Sequence, residues 1–165
     1  MSADKPRGGA AAAPKGAARN KTLATWLAAL FGSLGLHRFY LRGLDDWIGW
    51  LHAIATGLGW WGVERVQLYG QDDQLSWVLI PFLGGAVAAG CLAAIVYALT
   101  DAEKWGRWFN ADRRPSATAG STNWFTIAAL VFALLLGTIA FMGSLAFGVQ
   151  HYFEYQIEEA RKISQ

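Results

Sequence analysis

Uncharged runs separated by short polar stretches set the frame of this chain. No formal charge falls between Thr22 and Leu36, Trp47 and Val63, Gln74 and Thr100, or Trp124 and Val149. A helix needs about 20 apolar residues, at about 1.5 Å each, to cross the hydrocarbon core of a bilayer. Trp77–Leu99 and Trp124–Val149 meet that length. The fifteen residues from Thr22 rise only about 22 Å, and extension through Leu41 brings the first span to about 30 Å. His37 and Arg38 then sit near its end, where an arginine can snorkel to the headgroups. The pattern predicts an all-α integral membrane protein with four transmembrane helices, the first two an antiparallel hairpin.

Polar segments complete the division. Residues 1–20 read as a disordered basic tail and 21–66 as the hairpin. A polar link covers 67–76, followed by the third span at 77–99. Residues 100–123 form an interfacial helix and loop, 124–149 the fourth span, and 150–165 a polar helical tail. Thr100 and Glu103 fit a capping box for the interfacial helix, with Trp105, Trp108 and Phe109 on one face. Glu158 and Lys162 have the favourable i,i+4 order. In the third span small residues recur at Gly85/Ala89 and Ala86/Gly90, a spacing that lets another helix approach closely. Ala129, Ala133 and Gly137 do the same in the fourth. No repeat of 20–50 residues is read, and nothing like the His37–Tyr40 run recurs.

The corner between the first two spans carries the densest motif, Gly35-Leu36-His37-Arg38-Phe39-Tyr40-Leu41. It resembles the signature of the two-transmembrane (TM-two) domain family, in which a G-x-H/D-R-F-Y-L-G corner joins two helices. A Lys before the first helix (Lys21), Gly32 and Gly35 near its end, and Trp61-Gly62 followed by an acidic residue extend the likeness. Arg42 stands where the family has glycine, with Gly43 one place later, and Glu64 where it has aspartate. The resemblance implies a membrane-embedded hairpin without an agreed biochemical activity, its corner either structural or partner-binding. Antiparallel geometry would bring Lys21 and Glu64 together at the open end, opposite Arg38, Arg42, Asp45 and Asp46.

Composition agrees with a membrane chain: 54% hydrophobic, 16% charged, and nine Trp mostly at the ends of apolar runs. A net charge of +2 gives no reason to expect a nucleic-acid partner. The single cysteine, Cys91, reads as a small packing residue. His37 reads as a hydrogen-bonding corner group, and His52 as a polar group within a span. His37 and His52 would meet only if the second helix were shallow. No catalytic motif, metal-ligand spacing or cofactor cradle is found, so neither an enzyme nor a cofactor is expected. The expected role is a non-catalytic module packing against the bilayer and against a membrane-protein partner or itself. The alternative is a small channel or transport subunit. Basic residues do not decide the orientation of a four-span chain. A bacterial cytoplasmic membrane with both termini inside is the expected placement, because exporting a basic tail is unfavourable.

Overall fold

The computed structural model describes residues 16–114, 116 and 118–164, and these form helices without strands. Of the basic tail, residues 1–15 lie outside the described residues. The remainder is held in place. The Arg19 backbone N–H donates to Asn110 Oδ1 (2.6 Å), and Asn20 caps the first helix by accepting from Leu23 N (3.1 Å). Six α-helices follow: α1 Lys21–Phe31, α2 Leu36–Arg42, α3 Trp47–Tyr69, α4 Gln74–Leu99, α5 Ala102–Phe109 and α6 Trp124–Ile163.

The straight first span expected through Leu41 does not form. α1 rises about 16 Å and stops. A 3-10 turn over Gly32–Leu34 follows, and Gly35 takes φ +74°, a left-handed conformation open to glycine. α2 then runs back beside α1. The Asn20 N–H donates to Tyr40 Oη (2.9 Å), and Leu41 is buried with Ala24 and Trp105. The chain therefore enters and leaves at one end of the bundle. Gly32, at the tip of the excursion, meets Gly90, nine residues or about 14 Å inside the end of α4.

Around this short pair, three long helices form the body. α3 lies antiparallel to α4, with Gly59 against Leu83 and Gly62 against Leu79. α6 lies antiparallel on another side of α4, with Gly137 against Cys91 and Gly84 against Ser144. Pro81 interrupts α4 and cannot bond the Trp77 carbonyl. Gly148 of α6 fits there: a Cβ on it would stand 2.9 Å from that oxygen. The seams are built of small residues. Ala28 and Ala29 of α1, Cys91 and Ala94 of α4, and Ala133 of α6 form one buried cluster. Large apolar side chains point outward instead, Leu92, Leu135 and Ile139 among them.

α4 and α6 are each long and apolar enough to cross a bilayer, yet only 33% and 22% of their most apolar stretches are buried. A core helix of a water-soluble protein would be mostly covered. Small residues inside and large ones outside suit a body packed by van der Waals contact in lipid. The chain's TM-two resemblance and these two helices agree on a membrane protein.

The two ends of the bundle differ. The near end carries residues 16–20, the returning α2, and α5. The far end carries the α3–α4 turn and the last part of α6, where His151 stacks on Trp77 at 5.8 Å. Residues 16–20 and 150–163 thus lie at opposite ends of the bundle. α6 continues without a break through the expected polar tail, with Lys162 bonded to Glu159 (2.8 Å) in place of the expected Glu158. The α5 cap also differs: Asp101 accepts from Lys104 N (2.7 Å), while the Thr100 hydroxyl turns back to Val96 O.

An internal repeat, which the reading for contiguous motifs overlooked, emerges from these ends. Residues 32–50 and 59–77 share eight of nineteen positions at a 27-residue offset: Gly32/Gly59, Gly35/Gly62, Arg38/Arg65, Leu41/Leu68, Gly43/Gly70, Asp45/Asp72, Asp46/Asp73 and Trp50/Trp77. The same clasp is built twice. Arg38 grips Asp46 with two bonds (2.8 and 3.2 Å), and Arg65 grips Asp73 likewise (2.9 and 2.7 Å). Each aspartate also caps the helix that follows. Gly43 and Gly70 end the preceding helices at φ +96° and +88° with ψ near 180°, a region essentially reserved for glycine. Trp50 and Trp77 donate Nε1–H to the carbonyls of Leu44 (2.9 Å) and Gln71 (2.8 Å). Arg65 and the Ser76 hydroxyl hold the Asp73 carboxyl well below the usual carboxylate range.

Candidate functional site

Gly35, His37, Arg38, Phe39 and Tyr40 of the corner motif each have an internal task. Gly35 sits on the start of α3: a Cβ there would come within 2.8 Å of the Gly49 carbonyl carbon. His37 is 1% exposed and packs its ring against His52 (5.6 Å) and Tyr97 (5.9 Å). The two histidines meet where α2 turns back against α3. Among the described residues His37 Nδ1 is buried without a hydrogen-bond partner. Arg38 closes the Asp46 clasp, a bidentate pair that fixes the angle between α2 and α3. Phe39 covers Gly49 and leans on Trp50, ring centroids 5.2 Å apart. Tyr40 accepts from Asn20 and lies beneath the Arg19 guanidinium at 5.0 Å.

Lys21 belongs to the same end. It is fully buried, and its ammonium donates to Thr100 O (2.8 Å) and Thr122 Oγ1 (2.6 Å). Its backbone N–H donates to Ala119 O (2.8 Å). One residue thereby ties α1 to the end of α4 and to the loop before α6. The expected Lys21–Glu64 pair does not form. Glu64 lies about three-quarters of the way along α3 and accepts from Trp60 Nε1 (3.0 Å). The pairing assumed a first helix that crosses the whole bundle, and α1 turns back halfway.

α5 completes the corner as a lid. Trp105 is fully buried against Ala24, Leu41, Tyr97 and Phe109, and its Nε1–H donates to Arg19 O (2.9 Å). Of the three aromatic residues expected on that face, only Trp108 is exposed. The role of Trp105, like those of Asn20 and Tyr97, was missed from sequence. A tryptophan one turn before another on an amphipathic helix gives no sign of which one is covered.

Of the four small residues singled out in the third span, the structure separates two pairs. Ala86 and Gly90 are buried in the seam, and a Cβ on Gly90 would lie 2.5 Å from Gly32 Cα. Gly85 has open space around it and Ala89 is exposed. Among the described residues no group of three or more His, Cys, Asp or Glu could hold a metal.

Comparison with known proteins adds one match. The family model of the TM2 domain matches residues 17–65, which is 49 of 165 residues and ends within α3. No curated protein and no solved structure matches the chain.

Proposed function

We propose, from the premise that residues 17–65 form a TM2 domain, that the chain is a multi-pass, non-catalytic protein of the cytoplasmic membrane. Its TM2 unit acts as a helix-packing module. The observation that carries this reading is the internal use of the corner. Arg38, Phe39 and Tyr40 are spent on Asp46, Gly49 and Asn20, and His37 is enclosed by rings. A corner consumed in this way supports a structural role over a recognition role. A membrane-protein partner or a second copy would then meet the outward faces of α3 and α6. A solute path through one copy is disfavoured by the seam itself, where Ala28, Ala94 and Ala133 are at most 1% exposed.

In this reading α3, α4 and α6 cross the bilayer, while α1 and α2 dip halfway in and return. Three crossings in place of four separate the basic residues unequally. Of the basic residues among those described, eight lie at the near end (Arg19, Lys21, Arg38, Arg42, Lys104, Arg107, Arg113 and Arg114), against Arg65, Arg161 and Lys162 at the far end. By the positive-inside rule the near end faces the cytoplasm.

Single cysteines at Ala18, Leu44, Gln71, Asn110 and Ile163, in a Cys91→Ala background, test this with a membrane-impermeant maleimide on intact cells. Gln71 and Ile163 are expected to label, and Ala18, Leu44 and Asn110 to stay protected until the cells are opened. A first helix that crosses fully would separate Ala18 from Leu44, and that result would overturn the reading.

A further inference from the structure

The near end holds a cavity of about 560 Å³ between α2, the end of α4 and the segment after α5. Its wall carries three guanidinium groups, Arg38, Arg42 and Arg113, and one carboxylate, Asp112. Asp46 neutralises Arg38 from behind. Lys104 stands 4.6 Å above the ring of Trp108, which lines the cavity. The balance is therefore cationic. Leu41 and Phe109 give the cavity an apolar side, and Tyr97 and Trp108 give it amphipathic rings of the kind found at headgroup depth.

The far end makes the contrast. There the repeat places Tyr69 where Arg42 stands, and a separate pocket beside the α3–α4 turn is lined by Asp72, Glu154, Glu158 and His151. Two ends built on one clasp thus carry pockets of opposite sign. We propose that the near-end cavity binds the phosphate of an anionic lipid headgroup. Arg42 and Arg113 supply forked N–H donors that match phosphate oxygens, and Trp108 and Tyr97 flank the glycerol region. The lipid assignment rests on the proposed seating of the near end at the cytoplasmic leaflet, where anionic lipids concentrate. The departure of Arg42 from the glycine of the TM-two pattern then has a chemical use.

The test uses the full chain in neutral detergent, titrated with dihexanoyl phosphatidylglycerol. Dihexanoyl phosphatidylcholine is the net-neutral comparison and inorganic phosphate the free-anion comparison. Bound lipid is counted by native mass spectrometry, and melting temperature is followed in parallel. The native chain is expected to prefer the glycerol lipid. Arg42→Gln with Arg113→Gln is expected to weaken its binding about tenfold, the loss of roughly one charge-assisted hydrogen bond. Arg107→Gln with Arg114→Gln removes the same charge outside the cavity and is expected to bind as the native chain does. Equal weakening in both double variants would reduce the effect to surface charge and overturn the proposal. Equal binding of the choline lipid, or displacement by equimolar inorganic phosphate, would overturn it too. Cysteine labelling is independent of these readouts. An inverted labelling pattern with selective lipid binding would overturn the orientation and leave the cavity's chemistry standing, and the reverse pair of results would do the opposite.

Discussion

Trp105→Ala is expected to lower the unfolding free energy of the purified protein in detergent by about 4 kcal/mol, the range for deleting a fully buried aromatic side chain. The indole is covered on every side: α1 contributes Ala24, α2 Leu41, α4 Tyr97 and α5 Phe109. It is the largest fully buried side chain among the described residues, so its loss leaves a hole between four elements. Trp105→Phe separates packing from hydrogen bonding. It keeps most of the volume but leaves Arg19 O without its Nε1–H donor, and about 1 kcal/mol is expected. A reversible denaturant titration of the three proteins measures both. Equal stability of Trp105→Ala and the native chain would mean that α5 does not dock on the corner.

Gly90→Val is expected to cost about 3 kcal/mol, at the upper end for overpacking a filled seam. The added Cβ would stand 2.5 Å from Gly32 Cα, 2.7 Å from Gly32 C and 3.0 Å from Ala28 O. All three are backbone atoms, so no side chain can swing away, and α1 must lift off α4. Gly85→Val, five residues earlier on the same helix, meets nothing within 4 Å. It is expected to stay within about 0.5 kcal/mol of the native chain, as a surface change does. The same titration distinguishes them, and equal damage at both positions would contradict the observed register of α4.

These two sites show what sequence could and could not deliver. The spacing of small residues announced a close approach on the third span, but both Gly85/Ala89 and Ala86/Gly90 satisfied it equally. Only the angular position of α1, α3 and α6 around α4 selects the second pair. The corner motif was legible because its identities are contiguous. The 27-residue repeat was not noticed because its identities, mostly Arg, Gly, Asp and Trp, are scattered one to four residues apart. Those are the residues that build a turn, while the filler between them follows the local surroundings. The half-depth return of α1 left one trace, an uncharged run about 8 Å too short for a bilayer. Extending the run through His37 and Arg38 hid that trace. Gly32-Ser33-Leu34-Gly35 then looked like the interior of a helix, because a glycine in an apolar run does not disclose that its φ will be positive.

The half-depth pair also gives the molecule an uneven cross-section. α1 and α2 add their bulk to the near half of the body, whereas among the described residues the far half is built of α3, α4 and α6. Seated in a bilayer, such a wedge takes more area from one leaflet than from the other, and the sheet relieves that imbalance by bending around it. Reconstituted into vesicles of mixed diameter, the protein is expected to partition by size, and a uniform density across diameters would show that the surrounding lipids absorb the taper.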